Sequence, residues 1–183
     1  MYQVLELYRV SEDGMSKSAQ TKADRIRVRR AREETNIFSR MPSAYAASRS
    51  QATKFLQRAG GLSVVEWRVL WDLSEAGPLS IRDLASIQRV DHSQLSRALP
   101  AMWRKGLVNM ERDEVDGRQM SITLTEAGRQ AYEKAAPIMK QRRDALRRAF
   151  TPEELKQLVG YFDRLDAFFR QPLSELLNED SQA

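Results

Sequence analysis

The chain has 183 residues, of which 42% are hydrophobic and 30% charged, and a formal net charge of +5. Those values suit one compact domain with a buried core and exclude a wholly disordered chain. No apolar run approaches the ~18 residues that span a bilayer. The first residues, with Glu6, Arg9, Glu12 and Asp13, lack the basic and then apolar blocks of a secretory signal, so a cytoplasmic location and no membrane partner are expected.

Cysteine is absent and His92 is the sole histidine. Disulfide frameworks, thiolate zinc sites, cysteine nucleophiles and thiol switches are thereby excluded, as is a histidine-rich metal site. No glycine-rich phosphate loop, HExxH, GxSxG or dinucleotide fingerprint occurs, so neither an enzyme nor a bound cofactor is expected. The string DEVDG superficially resembles a calcium loop, but with Gly117 at position six, Arg112 falls at position one and the site fails. A basic balance favours a polyanion such as nucleic acid, and pattern has to decide.

Residues 1–38 read as a basic arm, with Lys22, Arg25, Arg27, Arg29, Arg30 and Arg32 close together and too few large apolar residues to bury a face. A solvated tail and a phosphate-contacting or partner-docking arm that orders on contact are both compatible with it. The Ala-rich string from Pro42 to Arg58 predicts the first core helix, with Pro42 in its first turn and Gly60-Gly61 stopping it. Val65, Val69 and Leu73 mark a second, ended by Gly77-Pro78. Ser80 and Asp83 make a capping-box start for IRDLASIQ, a short third helix. After a turn at Arg89 to Asp91, HSQLSRALPAMWRK predicts a fourth helix closed by Gly106.

In that fourth helix Leu95, Ala98, Leu99, Met102 and Trp103 follow one helical stripe and are expected in the core, whereas Ser93, Arg97, Pro100, Ala101 and Arg104 fall opposite. Gln94 and Ser96 flank them. Pro100, in the helix interior, is expected to kink the helix or divide its presentation into halves. The period then changes from 3.6 to 2: LVNMER and QMSITL alternate about an Asp-Gly step, a two-stranded hairpin. Thr125 can cap a long helix with a bend near Pro137, and Thr151-Pro152-Glu153-Glu154 starts a last one. Its stripe of Leu155, Leu158, Val159, Phe162, Leu165 and Phe169, extended by Leu173 and Leu176, exceeds what one small domain covers and points to a second subunit.

Two helices joined by a short turn and followed by a hairpin make a winged helix-turn-helix, whose second helix can enter the major groove. There Ser93, Gln94 and Arg97 are placed to reach base edges, with Ser96 and Arg104 nearer to phosphate. The stretch 79–118 holds seven Lys or Arg against six Asp or Glu, so affinity must lean on placement, symmetry or the basic arm.

Asp83-Leu84-Ala85, Ser96-Arg97, Lys105-Gly106-Leu107-Val108, Asp116-Gly117-Arg118 and Leu124-Thr125-Glu126-Ala127-Gly128, in this order, resemble the MarR family of dimeric transcriptional regulators over roughly Ser39 to Leu177. The resemblance implies a mainly α fold with a small β-hairpin: a winged helix-turn-helix at 79–124 between dimerisation helices at 39–60 and 125–177, with a tail at 178–183. It implies that Arg118 enters the minor groove oriented by Asp116, which suits the negative potential of a narrow groove. It implies a homodimer on a pseudo-palindromic double-stranded operator, repression, and a small aromatic or carboxylated effector held by Tyr45, Ser48, Arg49, Trp67 and Trp71, with Arg49 as the carboxylate anchor. The competing reading is a winged-helix interaction module without sequence-specific DNA binding.

Overall fold

The structure, a computed structural model, describes residues 21–112 and 119–177. The expectations for residues 1–20, for the hairpin tip with Asp116 and Arg118, and for the tail at 178–183 lie outside the described residues. The chain divides into two units, residues 1–48 and 49–183.

In the first unit the basic segment forms α1 (Lys22–Thr35), a helix in its own right. Thr21 caps it by accepting the Asp24 backbone N–H at 3.1 Å. As its composition requires, α1 buries no residue. Helix α2 (Ile37–Arg58), whose residues from Arg49 on belong to the second unit, begins five residues earlier than its proline suggests, leaving Pro42 beyond the first turn. The reason is Asn36, which ends α1 and also accepts the Phe38 N–H on its side chain at 3.0 Å, restarting the helix at once.

In the second unit, α3 (Val64–Ala76) starts with a capping box between Ser63 and Glu66 and buries Glu66, Trp67, Val69, Leu70 and Leu73. The buried face is broader than the predicted stripe, and Val65 stays half-buried. Gly77 (φ 82°) ends the helix, donating its N–H to the Leu73 carbonyl. The two-residue β1 (Leu79–Ser80) follows, then α4 (Ile81–Gln88) with the expected Ser80–Asp83 capping box. Arg89 turns the chain in the left-handed region (φ 50°), and Asp91 caps α5 (His92–Arg104).

The hairpin consists of β2 (Val108–Arg112) and β3 (Met120–Leu124), antiparallel in the register Val108–Leu124 to Arg112–Met120. Sequence reading finds two strands; the sheet has three, in the order β1-β3-β2, because Leu79 and Ser80 pair with Ile122 and Ser121. Two residues are too few to alternate visibly. The chain continues as α6 (Glu126–Ala149), α7 (Pro152–Phe169), opened by the Thr151–Glu154 box, and α8 (Leu173–Leu177). Helix α6 passes through the exposed Pro137 without interruption.

Within the second unit one core joins the end of α2 to α3, α4, α5, β2, β3 and α6 through Leu56, Leu70, Leu84, Leu95, Leu99, Met102, Val108, Ile122 and Met139. Leu95, Leu99 and Met102 anchor α5 as expected, but Trp103 does not: it is 56% exposed. At 100° per residue Trp103 lies about 75° from the centre of the Leu95–Leu99–Met102 stripe, on its rim in the last turn. Half-buried Ala98 occupies the opposite rim. Helices α7 and α8 bury nothing.

Candidate nucleic-acid interface

The outward side of α5 presents Ser93, Gln94, Ser96, Arg97, Pro100 and Arg104, all exposed, while Ala101 is half-buried. The helix begins at a strong cap: the Asp91 carboxylate accepts the Ser93 N–H at 2.7 Å, and that bond holds its pKa below the ordinary aspartate value. One turn on, the Ser93 carbonyl accepts from Arg97 Nε at 3.0 Å and from Ser96 Oγ at 3.1 Å. Arg97 is thus laid along its own helix by Nε. Its two terminal nitrogens, the fork that fits the O6 and N7 edge of guanine, make no other hydrogen bond among the described residues. Helix α5 stays helical across Pro100, in place of the expected division, with the ring on the outward face. Proline removes one backbone donor there, the N–H that would meet the Ser96 carbonyl.

Polar contacts that sequence reading does not single out fix the position of α5 and the turn before it. Lys105, capping α5, reaches the buried Glu66 carboxylate at 2.6 Å. Burial pushes the Glu66 pKa up, but Lys105 together with the Ser63 backbone and hydroxyl outweighs it, and the net direction is down. At the end of α4, the buried Gln88 side chain donates to Asp72 at 2.7 Å while the Gln88 backbone carbonyl accepts from Arg68 at 2.9 Å. Burial raises the Asp72 pKa. Arg89, in the turn, pairs with Asp163 of α7 at 2.9 Å. Of these, only Glu66 carries a local signal, three residues after Ser63 in a capping box.

Strands β2 and β3 are paired as far as Arg112–Met120. Leading away from the hairpin, Thr125 caps α6, its hydroxyl donating to the Gly106 carbonyl at 2.5 Å and accepting the Gly128 N–H at 2.9 Å.

The residues expected around an effector fall in both units. Tyr45 and Ser48 are exposed on α2 in the first; Arg49, exposed, opens the second. Trp67 is buried, stacked on Tyr132 of α6 with ring centroids 5.4 Å apart and tilted against Trp71 at 6.0 Å. The Arg143 guanidinium lies 4.7 Å above Trp71. Tyr132 and Arg143 are absent from the sequence expectation, although eleven residues apart on a helix is a same-face spacing. No group of His, Asp or Glu among the described residues could hold a metal ion, and none of their helices is long and apolar enough to cross a membrane.

The MarR family profile matches residues 62–120, from the residue before the α3 cap to the start of β3. The transcriptional regulator YpoP of Bacillus subtilis (strain 168) is 31% identical over 109 residues, 57% of this chain and 74% of YpoP. The homoprotocatechuate degradative operon repressor of Escherichia coli is 29% identical over 106 residues, 58% of this chain and 72% of the repressor. Among solved structures, Bordetella bronchiseptica BpsR, whose DNA binding is regulated by 6-hydroxynicotinic acid, superposes with a TM-score of 0.59 at 19% identity, covering 72% of this chain and 94% of that one. This last likeness is one of fold.

Proposed function

Because the chain belongs to the MarR family and is a DNA-binding transcriptional regulator rather than an enzyme, we propose that it acts as a homodimer that represses transcription from a pseudo-palindromic operator and is released by a small organic effector. The observation that carries the DNA reading is the two-sidedness of α5: Leu95, Leu99 and Met102 are sunk in the core while Ser93, Gln94 and Arg97 stand in solvent. Such a helix can enter the major groove without unpacking. Arg97 is assigned to guanine and Gln94 to adenine, Ser93 to either, and Ser96 and Arg104 to phosphate. Arg118 at the wing tip, held by Asp116, is assigned to the minor groove.

The homodimer reading is supported by the apolar face of α7 and α8, which nothing in the chain covers among the described residues. Two recognition helices would then meet half-sites about 34–36 Å apart. For the effector, an aromatic carboxylate suits the chemistry of Tyr45, Ser48, Arg49, Trp67 and Trp71: a cation for the acid, rings for the body.

Fluorescence-anisotropy titration against the intergenic DNA beside the gene, with shuffled DNA as competitor, tests this function. The parent is expected to prefer the intergenic duplex. Arg97→Ala should cost about 1–3 kcal/mol of that preference, Arg118→Ala should weaken it, and aromatic carboxylates should release the bound DNA. Absence of preference in the parent would leave the interaction-module reading.

A further inference from the structure

We propose that α1 is a second DNA-contacting element, a phosphate-binding helix that adds sequence-independent affinity to that supplied by the recognition helix. The proposal rests on the DNA-binding reading above and extends it to a segment outside the family match at 62–120. Helix α1 carries six cations, Lys22, Arg25, Arg27, Arg29, Arg30 and Arg32, every one exposed. Its acids are Asp24, Glu33 and Glu34. Two of the cations are neutralised locally, Arg27 by Asp24 at 3.5 Å and Arg29 by Glu33. Lys22, Arg25, Arg30 and Arg32 make no ion pair among the described residues.

The arrangement of the unpaired cations favours a linear polyanion. At 100° per residue Lys22, Arg25 and Arg32 fall within about 80° of one another, on one face. At 1.5 Å per residue that row is about 15 Å long, a length over which one DNA strand presents about four phosphates. The helix buries no residue, so packing gives it no place in a core. Its larger apolar side chains are Ile26 and Val28; without Trp, Phe or Leu it lacks the apolar payload with which surface helices enter a bilayer. Charge is the chemistry left to it, and the nearly balanced recognition segment at 79–118 leaves phosphate affinity to be supplied from elsewhere.

The test compares the full chain with a triple variant, Lys22→Gln, Arg25→Gln and Arg32→Gln, in anisotropy titrations against the intergenic and shuffled duplexes over a series of salt concentrations. Each lost phosphate contact lowers the slope of log K on log salt by about 0.9, so the variant is expected to lose about 2 to 3 from its slope for each copy bound, about 5 for the proposed homodimer, on both duplexes. The ratio of the two affinities should be unchanged. A charge-preserving variant, Lys22→Arg, Arg25→Lys and Arg32→Lys, should keep the parental slope, which separates charge from any loss of helix. An unchanged slope in the Gln variant overturns the proposal, and so does parental retention on phosphatidylserine vesicles that the Gln variant loses while its DNA slope stays put. If the parent binds both duplexes equally but the slope falls, sequence-specific recognition fails and this proposal stands. If the parent binds neither duplex, both fall.

Discussion

Gly128 is a glycine because a backbone oxygen occupies the place of its side chain. A Cβ built there would lie 1.9 Å from the Leu107 carbonyl oxygen, and backbone cannot swing aside as a flexible side chain can. The same Leu107 carbonyl accepts the Thr125 N–H, so the entry to α6 and the start of β2 are held against each other at one spot. Gly128→Ala is expected to destabilise by about 1–3 kcal/mol, read as a fall in Tm of about 2–4 °C per kcal/mol for a chain of this length. The Glu66–Lys105 pair makes a pH-dependent case. With its folded pKa lowered, Glu66 contributes stability at neutral pH that is lost as pH falls through the folded value. In Lys105→Met, burial acts on the carboxylate without the cation, and the pKa moves up. The variant should therefore be less stable at pH 7 by about 1–3 kcal/mol, and the deficit should shrink as pH is lowered toward the carboxylate range. Urea denaturation at a series of pH values checks both directions; a deficit that grows in acid would contradict the assignment.

At the scale of elements, α5 joins two requirements that compete. Its inner stripe needs large apolar groups and its outer face needs hydrogen-bonding groups, which leaves the rim to residues serving neither fully; Trp103 and Ala98 sit there. Pro100 stands on the outer face, where it gives up a backbone hydrogen bond without disturbing Leu99 or Met102. Pro100→Ala restores the missing donor to the Ser96 carbonyl. Against a helix-interior proline penalty of about 3 kcal/mol, offset by about 0.4–1 kcal/mol of lost unfolded-chain restriction, the variant should be more stable by about 2 kcal/mol. Thermal unfolding measures this, and a variant no more stable than the parent would mean that the local backbone already accommodates the ring. Most element boundaries are legible in the sequence, because caps are local chemistry: Ser80 with Asp83, Thr151 with Glu154, and glycine at 77 and 106. The start of α2 differs from the sequence expectation because Asn36 both closes one helix and opens the next, so the chain needs no further signal before Pro42.

At the scale of the molecule, the C-terminal helices bring apolar surface to solvent. Val159 is 58% and Phe162 53% exposed, and α7 touches the recognition unit through the exposed Arg89–Asp163 pair. In the proposed homodimer this face is covered by a second copy. Phe162→Asp should then weaken dimerisation by about 2–4 kcal/mol, the range of a buried aromatic anchor, and abolish preference for the intergenic duplex. Because Phe162 lies outside the buried core, the recognition unit should keep its fold. Sedimentation equilibrium gives the first result and circular dichroism the second; an unchanged mass at all concentrations would remove this face from the interface.

From its sequence alone this protein's class was legible: a mainly α chain with a winged helix-turn-helix, an outward polar face on the second helix of that motif, and no residues for thiol, zinc or nucleotide chemistry. Those properties depend on spacing and on residue types within a turn or two, and periodicity reports them directly. Tertiary structure alone decided that Gln88 is buried against Asp72 and Arg68, that Leu79 and Ser80 pair with β3, that Trp67 stacks on Tyr132, and that Lys105 reaches Glu66. Each joins residues 16 to 65 positions apart in the chain. Whether a polar or aromatic side chain is buried depends on which distant partner satisfies it, and no local pattern carries that information.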